Sequence, residues 1–123
     1  MNEQNEQTTT AGESILNSIK KQLDIPSDDD SFDENIVMHI NSVFVNLYQM
    51  GVGPETPFQI KDETDEWEDF ITEDKPYLVL VKSYMYLAVK LLFDPPRTSN
   101  LLEAMNAKMH EYEVRLYSES GGY

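Results

Sequence analysis

From Glu13 onward the chain changes from polar to patterned. Ile15, Leu16, Ile19 and Leu23 recur at the spacing that lines one face of a helix, and Asn17, Lys20, Lys21 and Gln22 are assigned to the other face. Pro26 ends this first helix, because the residue before a proline is pushed out of helical dihedrals. Ser31-Phe-Asp-Glu34 has the form of a capping box, in which the Ser31 hydroxyl and the Glu34 carboxylate each satisfy a free amide at a helix start. The second helix predicted from there carries Phe32, Ile36, Ile40, Val43, Leu47 and Met50 in one stripe, widened by Val37, Phe44 and Tyr48, with Gly51 placed to close it. Few polar residues interrupt that stripe, so the helix is expected to be central.

Residues 51–75 read differently. Gly51, Gly53, Pro54 and Pro57 break regular structure, and Phe58 to Ile60 reads either as a short strand or as an extended arm. Trp67, Phe70 and Ile71 sit three and four apart, which predicts about two helical turns over Asp65 to Thr72. Pro76 suits the first turn of a third long helix, and Tyr77 to Phe93 is apolar nearly all round, interrupted by Lys82, Ser83 and Lys90; a helix of that kind is expected to be buried on every side. Asp94-Pro95-Pro96 stops it. Thr98 or Ser99 then caps a last helix with the stripe Leu101, Leu102, Met105, Met109, Tyr112 and Leu116, and Gly121-Gly122 follow as a frayed end. The predicted fold class is therefore all-α: a small helical bundle of about four main helices with an extended loop or short arm between the second and third long ones.

Residues 1–12 contain no large apolar side chain beyond Met1 and are expected to be a disordered tail; 13–118 form the helical domain, and 119–123 a flexible C-terminal tail. The chain's 123 residues, 40% of them hydrophobic, suit one compact domain that folds without staples. No cysteine is present, so disulfides and thiolate metal sites are excluded, and a cytoplasmic origin is expected. No stretch approaches the roughly 20 apolar residues of a membrane span. The formal charge of −14 argues against contact with a phosphate backbone, which needs Lys and Arg to displace counterions. That charge is localised: Asp24 to Glu34 holds six acids and no base, Glu55 to Asp74 holds nine acids and Lys61, and the remainder sums to zero.

Catalytic and metal chemistry finds little support. His39 and His110 lie on different predicted helices without metal-ligand spacing. Asp28-Asp29-Asp30 with Asp33 and Glu34 suggests calcium, yet Phe32 occupies a ligand position and no glycine stands at the sixth place. Glu63, Asp65, Glu66, Glu68 and Asp69 form a solvated acidic run in which no pair stands out for acid-base work. No catalytic residue, cofactor or metal is therefore expected.

The capped helix from Ser31 to Gly51 with Ile40-Asn41-Ser42, the run Leu92-Phe93-Asp94-Pro95-Pro96 that ends the next long helix, and the final Leu102-Glu103-Ala104 helix resemble the head-tail connector, or adaptor, proteins of tailed bacteriophages, over about residues 13–118. The LLFDPP turn is the most specific element. The resemblance implies a structural virion protein at the head-tail interface, assembled in the host cytoplasm. It implies a homo-oligomeric ring, commonly dodecameric, under the portal protein and above a tail-side completion or stopper protein. Such a ring extends the DNA channel and offers the tail its attachment surface, while DNA passes without specific binding. By mechanism, Arg115, Leu116, Tyr117 and Tyr123 are candidate portal-docking residues, unless that segment is simply a frayed end. Phe58, Ile60, Trp67 and Phe70 are candidate inter-subunit residues, on an arm reaching a neighbour or else on an acidic flap closing the chain's own core. The alternative reading is an acidic helical regulator, or DNA-mimic inhibitor of a basic protein, which needs its acids on rigid surfaces at phosphate-like intervals.

Overall fold

The computed structural model describes residues 12–71 and 76–119, and among them it is helical without strands. The elements are α1 (Ile15–Gln22), α2 (Asp33–Gln49), the single turn α3 (Trp67–Phe70), α4 (Pro76–Phe93) and α5 (Ser99–Glu119). The small all-α bundle expected from periodicity is what forms. Residues 1–11 of the expected N-terminal tail and 120–123 of the expected C-terminal tail lie outside the described residues, and Glu119 ends α5.

Two helix ends close by the same device. After α2, Gly51 adopts φ +82°, its amide donating to the Tyr48 carbonyl at 3.0 Å, while the Val52 amide reaches the Leu47 carbonyl at 2.9 Å. After α1, Asp24 takes the same left-handed conformation at φ +63°, and the Asp24 and Ile25 amides reach the Lys21 and Lys20 carbonyls. The chain thus leaves α1 before Pro26 is reached. The start of α1 is capped by Ser14, whose Oγ accepts from the Asn17 amide at 3.1 Å.

The start of α2 corrects the sequence reading. Ser31 does not cap it; the helix begins at Asp33 after Phe32, without a side-chain cap. Both the Ser31 amide and its hydroxyl donate to Asp29 Oδ1. The ionised carboxylate two residues upstream is the stronger acceptor, and it takes Ser31 out of contention. At α5 the cap is Thr98, whose Oγ1 accepts from the Leu101 amide.

The core runs through Ile15, Leu16 and Ile19 of α1, Ile36, Ile40, Val43, Phe44 and Leu47 of α2, Val81, Tyr84, Met85, Ala88 and Val89 of α4, and Leu116 of α5. Helices α2 and α4 are antiparallel: the Phe93 ring meets Phe32 at 5.5 Å at one end, and Tyr84 reaches Asn46 near the other. Residues 94–98 turn the chain so that α5 returns along α4, where the Tyr84 hydroxyl donates to Glu113 Oε2 at 3.2 Å. Helix α4 packs on α1, α2 and α5, which is why its sequence is apolar on several sides. It is not buried on every side, however: Val79 and Leu92 are 68% and 53% exposed. The α5 stripe is likewise only partly covered, and most fully at its C-terminal end. Leu116 is buried, and Met109 and Tyr112 pack against the core, whereas Leu101 is 53% exposed.

Lys20 is the other departure. Assigned to the solvent face of α1, its side chain is almost fully buried, with Nζ 2.8 Å from Asp33 Oδ1 and donating to the Ser27 carbonyl at 3.2 Å. Ser27, in the segment between α1 and α2, and Asp33, the first residue of α2, supply its two partners, so the charge is met where a lone one would be expelled.

Candidate assembly surfaces

The segment between α2 and α4 is held to the bundle by polar contacts at three points. Asn41 on α2 makes a two-point contact with Ile60: its Oδ1 accepts from the Ile60 amide at 2.8 Å and its Nδ2 donates to the Ile60 carbonyl at 3.1 Å. Around Ser14 and Glu66 the chain forms an isolated antiparallel bridge, with the Ile15 amide on the Asp65 carbonyl and the Trp67 amide on the Glu13 carbonyl. The Trp67 indole Nε1 donates to Ser18 Oγ at 3.0 Å, and Lys82 Nζ lies 5.7 Å from the Trp67 ring while pairing with Glu13 at 2.6 Å.

These anchors direct the apolar side chains inward. Phe44 is the hub, with ring centroids of Phe58, Trp67 and Phe70 at 5.0, 6.4 and 4.8 Å. Ile60, Trp67 and Phe70 are buried and Phe58 partly so. Of the four candidate inter-subunit residues, then, Ile60, Trp67 and Phe70 lie in the chain's own core and Phe58 packs against it. The backbone over Phe58 to Ile60 is not a strand, and the helix expected over Asp65 to Thr72 is one turn, Trp67–Phe70, with the Glu66 amide bonded to Asp69 Oδ2. Thr72 lies outside the described residues.

At the far end, the structure separates the candidate docking residues. Arg115 and Tyr117 are exposed, with Arg115 Nη1 3.5 Å from Glu111, whereas Leu116 has no exposed surface and belongs to the core. Leu116 continues the Met109 and Tyr112 face of α5, so offering it to a partner means opening the bundle.

The sequence model for phage connector proteins matches residues 15–122, which takes in every described helix. The chain belongs to the phage connector protein family. No curated protein and no solved structure matches it. The connector family is structural rather than enzymatic, is located in the virion and associates with portal and tail components.

In this connector the acidic segments are ordered by their own carboxylates. Hydrogen bonds from the Ser31 hydroxyl and then its amide hold the Asp29 carboxyl below the usual carboxylate range, and Thr64 does the same for Asp62. Asp65 Oδ2 accepts from the Lys61 and Asp62 amides. Among the described residues no group of three or more potential ligands converges on a metal position, and His39 and His110 stay on separate helices, His39 beside the Phe93 ring. No described helix is long and apolar enough to cross a membrane.

Residues that matter here escaped the periodicity argument. Asn41 and Tyr84 are conspicuous only once their partners, 19 and 29 residues away, are placed beside them. Met38 and Val45 did carry a signal: they are apolar on the side of α2 away from the Ile36, Ile40 and Leu47 stripe, and they emerge 57% and 41% exposed.

Proposed function

We propose that this connector is the subunit of a ring at the head-tail junction, seated under the portal, extending the DNA channel and presenting the surface to which the tail-side completion or stopper protein attaches. The observation that carries the reading is the match of the phage connector family to the whole described bundle. The charge distribution supports it, since acids concentrated in the segments that join the helices repel a passing polyanion, and DNA then slides by without being held. The ring is a homo-oligomer, dodecameric where the portal vertex is, and its place is the virion after assembly in the host cytoplasm. The domain that builds it is residues 13–118, with 1–12 and 119–123 as tails. Portal docking falls to the C-terminal end, where Arg115 and Tyr117 are exposed and Tyr123 lies beyond. Of the inter-subunit candidates Phe58, Ile60, Trp67 and Phe70, only Phe58 is partly open to a neighbour without unfolding the flap.

The test is assembly. Purified portal mixed with the connector should gain a ring of added mass, visible as density under the portal by electron microscopy, and DNA-filled heads made without the connector should fail to accept tails until it is supplied. Heads that join tails equally well in its absence would refute the proposal. Removing residues 117–123, which takes off the last three residues of α5, should leave the fold intact and weaken capture on the portal; unaltered capture removes the docking role of that segment.

A further inference from the structure

Helix α5 is joined to the rest of the connector through α4. It packs on α4 and on no other helix to a comparable extent, and of its side chains only Leu116 is fully buried. Across that contact the Tyr84 hydroxyl donates to Glu113 Oε2. The reversal that brings α5 back has no hydrogen bond of its own. The Asp94 amide bonds to the Lys90 carbonyl inside α4, the Leu102 amide bonds to the Thr98 carbonyl at the start of α5, and among the described residues no backbone hydrogen bond crosses 94–98. Pro95 and Pro96 offer no amide donors, and each drives the residue before it towards extended dihedrals. The exits from α1 and α2 differ, because there the Asp24, Ile25 and Val52 amides bond back to the helix just left.

Resting on the ring reading above, we infer that copies are joined in the ring by exchange of α5: residues 94–98 open, and α5 of each copy packs on α4 of the next. The single chain already contains the contact. The face of α4 that receives α5 is shaped for that helix, so its occupant from outside is the α5 of a second copy, held in register by the same Tyr84 to Glu113 bond and the same seat for Leu116. Each exchanged contact replaces an identical one given up, and the balance is left to the connector and to the entropy of association. The prolines weigh on that balance, because an opened connector is an extended one and the closed reversal has no hydrogen bond to lose. Charge permits the contact: residues 76–119 carry five acids and five bases, whereas 12–71 carry fourteen acids against three bases. The copies are thus joined through the part of the chain without net charge. Because α5 is given and α4 receives, the two surfaces differ, and a one-way exchange passes from copy to copy until the rotation closes a ring.

The native lysines supply the test. Lys90 stands six residues beyond Tyr84 and Lys108 five before Glu113, so the two lie at one level of the antiparallel α4 and α5 pair, and both are at least partly exposed. Full-length connector made in nitrogen-14 and nitrogen-15 forms is mixed in equal amounts, assembled on portals, treated with a short amine-reactive cross-linker and digested for mass spectrometry. In rings with exchanged α5, about half of the Lys90–Lys108 cross-links should join a light copy to a heavy one. Lys90–Lys108 cross-links of a single isotope throughout the ring overturn the exchange. A flexible Gly-Ser insertion after Pro96, which frees the connector to close, should lower the mixed share at least about two-fold, and an unchanged share would contradict the part given to the prolines. Ring capture on the same portals keeps the two claims apart: portals that acquire a ring with single-isotope cross-links refute the exchange alone, and portals that acquire none refute the ring.

Discussion

Asn41 does for Ile60 what a neighbouring strand would do, accepting from its amide at 2.8 Å and donating to its carbonyl at 3.1 Å from a side chain fixed on α2. The contact holds the middle of the segment between α2 and α4, where among the described residues no ladder exists to satisfy the backbone. Asn41→Ala should cost about 1–3 kcal/mol in urea unfolding, because both Ile60 groups lose their partner beside a buried side chain. Asn41→Asp, which keeps the acceptor and loses the donor, should fall between the two. A cost indistinguishable from zero would mean that the aromatic cluster alone sets the segment's position.

The Lys20 and Asp33 pair joins the end of α1 to the start of α2. Asp33→Ala leaves a buried ammonium with only the Ser27 carbonyl and should destabilise the fold by about 2–3 kcal/mol, less than a fully buried pair because Asp33 is partly exposed. Lys20→Met removes the charge and should cost less. The order of the two denaturation midpoints decides the matter, and Lys20→Met as the more damaging change would contradict it.

Asp24 holds a left-handed conformation that a side chain adopts at a cost. Asp24→Gly should therefore raise stability by about 0.5–1 kcal/mol, read as a higher melting temperature with unchanged circular dichroism. A fall in melting temperature would show that the Asp24 side chain contributes more than its backbone strain removes.

Tyr84 gives the fold an alkaline limit. Burial, then the Glu113 carboxylate beside it and bonded to it, push its phenol up to about 12, against the weaker opposite pull of Asn46. Because the folded-state value lies above the unfolded one, the folded state resists ionisation. Its stability is intact below pH ~10 and is lost as the pH rises from about 10 towards about 12, by roughly 2–3 kcal/mol in all. Tyr84→Phe should be less stable at pH 8 and show a shallower alkaline decline. Parallel declines in the two proteins would assign the effect to other tyrosines.

Helix identity and the core stripe were legible in the sequence because both depend on short-range spacing. Ile36, Ile40, Val43 and Leu47 recur with the helical period, and burial of that stripe outweighs every local preference along α2. The same logic placed Gly51, since only a residue tolerant of positive φ ends a helix that way at little cost. The family was legible too, through the LLFDPP turn and the order of the helices.

What tertiary structure alone decided are the partners of polar groups and the boundary between inside and outside. Ser31 matched a capping pattern, but Asp29 was closer and charged. Lys20 had the spacing of a surface residue until Asp33 and Ser27 came round to it. Trp67 and Phe70 read equally as an arm or a flap, and Phe44, more than twenty residues away in sequence, drew them inward. Periodicity fixes which side of a helix is apolar, through a rule that holds within a few turns; which apolar side is covered, and which charge is met, depends on residues brought together by the whole fold.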